Sequence, residues 1–329
     1  MYRRDRSASQ TVQILPTGRQ QIMTERCPVC GSEEVGVKRL FRATHPAYAG
    51  LQLAYCLRCE LVFASPRPSS DALIHYNSSY FDSAHGGHSM GRTTLAFFAA
   101  IARLRADHIL RYLAERNLPA DRVLEVGPGS GHFARGWLGR FPDTSYSALE
   151  TDSTCYPSLR ELGVNLRTGG CTEAVDLVVA SHVLEHVSDP HGFLQAVTRD
   201  LRLGGVLFIE VPCQDWRHKP IDEPHLLFFD KMTMTKLLAS LGFTQIQLSY
   251  HGREITEIES MSWLPARWAS VRARLINLGL VAPFCQLRQG MEGLDDPLQR
   301  AVIAPFEAHL ETDRPAWWLR ALAVKDNVL

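Results

Sequence analysis

Two hydrophobic periods alternate through the central part of the chain. From about Ala102, IARLRADHILRYLAERN (101–117) carries apolar residues at helical spacing, and RVLEVG (122–127) follows as a short buried strand. Further apolar runs come at SYSALE, DLVVAS, GGVLFIEVP and FTQIQLSY, each after a helix-compatible stretch or a loop. This alternation predicts a doubly wound α/β sheet. Before it, VGVKRL and LQLAYCL have the short alternation of a small β-ribbon. After it, residues 253–314 read as helices rich in Trp, Arg and Leu, broken by Pro265, Pro283, Pro297 and Pro305, and PAWWLRALAVK closes the pattern as a last strand. The first 26 residues are polar, carry Arg3, Arg4 and Arg6, and are read as a mobile tail.

Composition narrows the function classes. Among 329 residues, 45% are hydrophobic and 21% charged, with 35 basic against 35 acidic side chains. A neutral chain with no basic aromatic patch argues against a dedicated nucleic-acid binder. No run approaches the ~20 apolar residues of a membrane span, so the expected location is cytoplasmic, with no membrane partner.

Four of the eight cysteines form two CxxC pairs, Cys27/Cys30 and Cys56/Cys59. Each pair puts two thiols on one tight turn, and two such turns enclose Zn²⁺ in a closed tetrahedron of the structural kind. Arg26, Lys38, Arg39 and Arg58 are near enough in sequence to offset its negative charge. The preferred reading is a metal staple for a segment too short to hold its own core; the alternatives are a ribbon gripping RNA or substrate, and a redox CxxC. His85 and His88 could mark a second metal, but a polar linker explains them better.

VLEVGPGSGHFA places Gly127, Gly129 and Gly131 where the first strand turns into a helix. Glycines there let a ligand approach the backbone, and the helix N-terminus offers free N–H groups to an anion. Glu150 ends the second strand at the offset where a carboxylate accepts hydrogen bonds from ribose hydroxyls. The stretch from Gly129 also fits the dinucleotide pattern G-x-G-x-x-A, which keeps an NAD enzyme open as a reading.

Downstream, DLVVASHVLEHVSDPHGFLQAVTRDLRLGGVLFIEVP (176–212) resembles the stretch after the cofactor loop of class I S-adenosylmethionine-dependent methyltransferases. The resemblance covers roughly residues 102–252. It implies a seven-stranded Rossmann-like sheet with an antiparallel last strand at about 317–325 and S-adenosyl-L-methionine as cofactor. It also implies cofactor contacts from Glu125, Gly127, Gly129, Gly131, Glu150, Ser181 and His182. The acid that often contacts adenine in this family is missing from TGGCTEAVD (168–176). The front end, YCLRCELVFASPRP with IHYNSSYF, resembles bacterial methyltransferases that carry a four-cysteine ribbon and modify sugars or small metabolites, including deoxysugar C-methyltransferases. DEPHLLFFDKMTMTKLLASLGF (222–243) resembles that family's acceptor segment and puts Glu223 and His225 beside the methyl acceptor, with Pro224 between them where the family often has the pair adjacent.

The expected organisation is therefore a tail (1–26), a zinc ribbon (27–66), a connector or lid (67–101) and a methyltransferase domain (102–329) with a helical insertion at 253–314. The insertion would cap the site or form a homodimer contact, and Trp263, Arg267 and Trp268 would line an acceptor pocket or simply be core. Methyl transfer is an in-line displacement that needs a base only if the acceptor must lose a proton. His225, Glu223, His182 and Tyr80 are the catalytic candidates, with Tyr76 and His186 behind them; for His186 the stronger reading is a turn-holding hydrogen bond. The resulting expectation is methyl transfer to a small molecule, a sugar or specialised metabolite. An RNA methyltransferase, an NAD-dependent oxidoreductase and a non-catalytic cofactor-binding protein are the alternatives.

Overall fold

A computed structural model describes residues 25–69, 72–73, 76, 90–167, 173–260, 263–283 and 287–326, the side chains of residues 263–267 and 269–270 aside. Tyr80, His85, His88 and the 168–172 stretch expected near adenine lie outside the described residues.

The main sheet is built from β4 (Arg122–Val126), β5 (Ser145–Leu149), β6 (Asn165–Leu166), β7 (Val175–Ser181), β8 (Leu201–Pro212), β10 (Phe243–Glu254), β11 (Glu311–Thr312) and β12 (Ala316–Lys325). Their order is β11-β10-β12-β8-β7-β4-β5-β6. β4 through β8 run parallel, whereas β12 lies antiparallel between β8 and β10. Among the described residues this Rossmann-like sheet has eight strands where seven are expected, two of them (β6 and β11) only two residues long, and its last strand begins at Ala316. β7 is buried along nearly its whole length because helices cover both faces.

Alternate residues divide between those faces. Val123, Leu177, Val179, Phe208 and Leu322 join one core with the helix α1 (Arg92–Arg116) and the helix α2 (His132–Leu138). Leu124, Val178, Ala180, Ile209 and Ala321 join the other, under α4 (Pro190–Val197) and α5 (Lys231–Ser240). This is the period of two that strands impose. α3 (Tyr156–Glu161) follows β5, while α6 (Ile255–Ser260), α7 (Trp263–Asn277) and α8 (Pro297–Ile303) lie between β10 and β12, where the helical insertion is expected. Met291, Leu294 and Ile303 of that insertion pack on Ala100, Ile101 and Leu104 of α1. Trp268 points to solvent, 67% exposed, and does not line a pocket; the side chains of Trp263 and Arg267 lie outside the described residues.

The N-terminal sheet contains β1 (Val35–Leu40), β2 (Gln52–Cys56) and β3 (Val62–Ser65), and then borrows β9 (Leu227–Phe228) from the acceptor segment. The cores also merge, since Leu53 and Phe63 fall in the same apolar cluster as Ile209 and Phe229. The sequence reading draws a boundary near residue 66; the structure shows a ribbon grafted onto the larger domain. That domain also begins earlier than residue 102, because α1 is continuous from Arg92. Among the described residues no helix is long and apolar enough to cross a membrane.

Candidate active site

The carboxyl ends of β4, β5 and β7 open on a cavity of about 410 Å³, within the usual range of small-molecule sites. Gly127 and Gly129 line its near wall, whereas Gly131 is not among the lining residues and faces Leu159 and Leu162; all three have positive φ. A Cβ on Gly127 would come within 2.6 Å of the Val183 side chain, so the loop runs too close to its neighbour for any larger residue. Glu150 fixes the loop from the next strand: one carboxylate oxygen accepts from the Gly129 N–H at 2.8 Å, and the other accepts from the Thr151 and Asp152 N–H groups. Glu125 lies beneath, 4% exposed, accepting a 2.7 Å hydrogen bond from the Tyr146 hydroxyl. Ser181 Oγ is buried on the far side with no hydrogen-bond partner, a polar atom left for a ligand.

Burial pushes the Glu125 carboxyl up to about 7. The unfolded chain ionises such a group near 4.5, so folding retains a proton that the unfolded chain releases between those values. Stability from this group is therefore fully present below about 4.5 and lost as pH rises to about 7. Glu125→Gln keeps an acceptor for Tyr146 and removes the titration. The variant is expected to gain on the parent as pH rises through that window, reaching of order 2 to 3 kcal/mol above it, measured by urea unfolding from pH 4.5 to pH 8.

Residues 98–248 match the family model for a methyltransferase domain. The parallel half-sheet and the antiparallel strand inserted next to its edge are the arrangement that this family's resemblance implies. That segment is a methyltransferase domain. Two curated relatives are similar to it in sequence. A probable S-adenosylmethionine-dependent methyltransferase of Mycobacterium tuberculosis is 28% identical over 166 residues, which are 46% of this chain and 60% of the relative. Trans-aconitate 2-methyltransferase of Enterobacter sp. is 30% identical over 138 residues, 36% of this chain and 52% of the relative. The chain thus spans little more than half the length of the relatives it matches. Among solved structures, a Thermotoga maritima S-adenosylmethionine-dependent methyltransferase, described as a possible histamine N-methyltransferase, aligns at TM-score 0.47 and 15% identity over 77% of this chain and all of that one.

At the far end of the methyltransferase cavity stand His182, His186 and His225, with Phe98 and Trp318 on its side. His182 follows β7 with φ +57, and Gln214 follows β8 with φ +45. Both are left-handed conformations that non-glycine residues adopt at a cost, and both follow the carboxyl ends of neighbouring parallel strands, though only His182 lines the cavity. The His182 ring lies between two acids, Nδ1 at 3.4 Å from Glu185 and Nε2 at 3.2 Å from Glu210. Burial alone would lower its pKa, but the two acids hold it above the ordinary histidine value. Both ring nitrogens of His182 thus face carboxylates, while the residue also lines the cavity.

His225 lines the same cavity. Its Nδ1 is 2.8 Å from Asp215 Oδ2, and its ring packs edge-on against His186. Burial alone would raise the Asp215 carboxyl, yet His225 and Lys219 hold it well below its usual range. Burial lowers His186 to about 4, so its imidazole is neutral, and His186 Nδ1 lies 3.2 Å from the Pro224 carbonyl, as the turn-holding reading expects.

Glu223 does not join this group. It is absent from the cavity lining and turns onto the ribbon, accepting from the Thr44 hydroxyl and from the His45 N–H at 2.9 Å. Its expected catalytic role is corrected to a link between segments, because the chain reverses between Asp222 and His225 and sends the two side chains in different directions. Tyr76 likewise packs its ring against Tyr48 and His45.

Sequence reading missed the ionic floor of the site. Glu210, fully buried, accepts from Arg105 Nε at 2.8 Å and from Arg320 Nε at 2.6 Å. A visible signal was available: Glu210 and Arg320 are charges set within the apolar runs VLFIEVP and WWLRALAV, and a charge in such a place needs a partner.

The four cysteines converge as the spacing predicts. Cys27 and Cys59 sulfurs lie 3.5 Å apart, as do those of Cys30 and Cys56, and all four fall within 4.8 Å of one another. Tetrahedral Zn–S bonds of ~2.3 Å require sulfurs ~3.8 Å apart, so the donor set fits a structural zinc. The nearby cations are spent elsewhere: Arg26 pairs with Glu33, Arg39 with Asp222, and Lys38 lies over the Tyr55 and Trp216 rings.

Proposed function

We propose that this protein is an S-adenosylmethionine-dependent methyltransferase acting on a small, oxygen-rich metabolite such as a sugar or an organic acid, with a structural zinc in its ribbon. The observation that carries the reading is one continuous cavity with the glycine loop and Glu150 at one end and the histidine cluster at the other. Bound S-adenosylmethionine supplies an electrophilic methyl group on a sulfonium. Glu150 would receive the ribose hydroxyls, and Ser181 Oγ and Glu125 would meet the polar atoms of its methionine part. Phe98 and Trp318 shield the cavity from water, so the chain contributes mainly orientation and desolvation. His225, held through Nδ1 by Asp215, is the side chain through which the acceptor is engaged and its proton removed.

Two rival readings lose support. Ribbon cations that would hold RNA make internal contacts instead, Arg39 and Arg42 both pairing with Asp222. The antiparallel β12 inserted within the sheet, between β8 and β10, counts against an NAD dehydrogenase, whose dinucleotide-binding strands run 3-2-1-4-5-6 in a mostly parallel sheet. The test is label partition: with methyl-labelled S-adenosylmethionine offered to a cell extract separated into small metabolites and RNA, label is expected in the small-molecule fraction. Label confined to RNA, with uptake falling steeply as salt rises, would overturn the reading.

A further inference from the structure

Asp215 carries two partners on one oxygen. Its short turn, Asp215–Arg217, follows β8, and the Lys219 N–H donates to the Asp215 carbonyl at 2.9 Å, which brings the lysine back over the carboxylate. Lys219 Nζ lies 2.6 Å from Asp215 Oδ2, the same atom that His225 Nδ1 meets at 2.8 Å. Oδ1 is buried and has no hydrogen-bond partner. A carboxylate has two oxygens to offer, yet here the ammonium and the imidazole draw on the same one. They also differ in access to water: the His225 side chain is 9% exposed and lines the cavity, whereas Lys219 is 38% exposed. Asp215 thus links a buried ring to a cation at the surface.

The other charged and titratable groups around the ring leave this link in place. On the turn Leu184–His186, His186 packs edge-on against His225 with ring centroids 5.0 Å apart. Burial opposes the charge of Glu185 on the same turn, yet His182, His186 and His225 hold its carboxyl below the ordinary range. Within the His225 segment, Asp222 is taken up by Arg39 and Arg42, and Glu223 by Thr44 and His45. Beside Lys219, Arg217 pairs with Glu259, and burial lowers the His218 imidazole, which packs against Trp317.

A carboxylate on Nδ1 favours a proton on the ring, and an ammonium on that carboxylate opposes it. We propose that Lys219 is a positioning residue for methyl transfer: by sharing Asp215 Oδ2 it loosens that carboxylate's hold on a second proton at His225, so the ring meets the acceptor with Nε2 unprotonated. Nδ1 keeps its hydrogen toward Asp215, and Nε2 takes the acceptor's proton, leaving the ring an imidazolium until water removes it. The link between Lys219 and His225 stands on the geometry; its use in catalysis rests on the methyl-transfer reading.

The experiment follows the His225 ring by NMR in zinc-loaded protein made with ¹³C-labelled histidine, with S-adenosylhomocysteine present, from about pH 5 to about pH 9. Its signal is the one lost in His225→Asn. Lys219→Met is expected to raise the midpoint of that signal by about one pH unit, the scale of a nearby charge partly screened by water. Lys219→Arg, which restores the cation, should return it toward the parent value. Transfer of label from methyl-labelled S-adenosylmethionine into a small-metabolite extract should fall about tenfold in Lys219→Met on the acid side of the profile and approach the parent rate as pH rises. Lost packing would lower it equally at every pH. An unmoved midpoint, a midpoint that Lys219→Arg fails to restore, or an equal loss at every pH would overturn the proposal. A moved midpoint with no label transfer by the parent would sink the methyl-transfer reading and leave the link between Lys219 and His225 standing; label transfer with an unmoved midpoint would do the reverse.

Discussion

His225→Asn is expected to lower turnover by about 10² to 10³-fold while S-adenosylhomocysteine binds as tightly as to the parent. The ring is at the acceptor end of the cavity, away from the glycine loop, and Asp215 holds it in one orientation. Asn preserves a polar contact with Asp215 but has no second nitrogen to present to the acceptor. Single-turnover rates and calorimetric titration of the same preparations separate the two effects. Glu223→Gln is the matched control, because that side chain meets Thr44 and His45 outside the cavity and its loss should change turnover by only a few-fold. Equal losses in both variants would contradict this assignment of the acceptor end.

The second large effect concerns the ribbon. Cys56→Ser is expected to unfold the segment from Cys27 to Ser65 and to lower methyl transfer about 100-fold, the scale of losing ångström-level positioning. The cause lies in how the ribbon grips the acceptor segment. Asp222, with its side chain fully buried, accepts from the Arg39 guanidinium and from the Arg42 backbone N–H at 2.8 Å, and its own N–H donates to the Arg42 carbonyl. A few residues on, the Ala64 N–H donates to Leu226, whose N–H donates to the Glu185 carbonyl. His225 therefore stands between two points of attachment to the ribbon, and His191 Nε2 meets the Val29 carbonyl as a further link. Limited proteolysis should show cleavage within the ribbon before the sheet domain, and cofactor binding, which depends on β4 and β5, should persist. A Cys56→Ser protein with full turnover would show that the ribbon is dispensable for the site.

The sheet was legible because its strands carry uninterrupted apolar runs, and because glycine spacing at Gly127, Gly129 and Gly131 is dictated by a backbone that leaves no room for a Cβ at Gly127. The cysteine cluster was legible for a similar local reason, as two tight turns bring four thiols together whatever surrounds them. What escaped depends on distant partners. Glu223 and His225 are two residues apart, and only the path of the chain around Pro224 decides that one meets the ribbon and the other the cavity. Glu210 and Arg320 become a pair only when β12 inserts beside β8, an antiparallel register that no local pattern encodes. The pairing of the ribbon with the acceptor segment escaped because β9, two residues long, is too short to carry a periodic signal of its own.

The most direct test of the central claim is calorimetric titration of the zinc-loaded protein with S-adenosylmethionine, S-adenosylhomocysteine and NAD in parallel, repeated on Glu150→Ala. That variant removes the carboxylate that receives the Gly129 N–H and faces the cavity. The account predicts binding of the two sulfur compounds, no binding of NAD, and loss of binding in the variant. Binding of NAD alone, or sulfur-compound binding indifferent to Glu150, would contradict it.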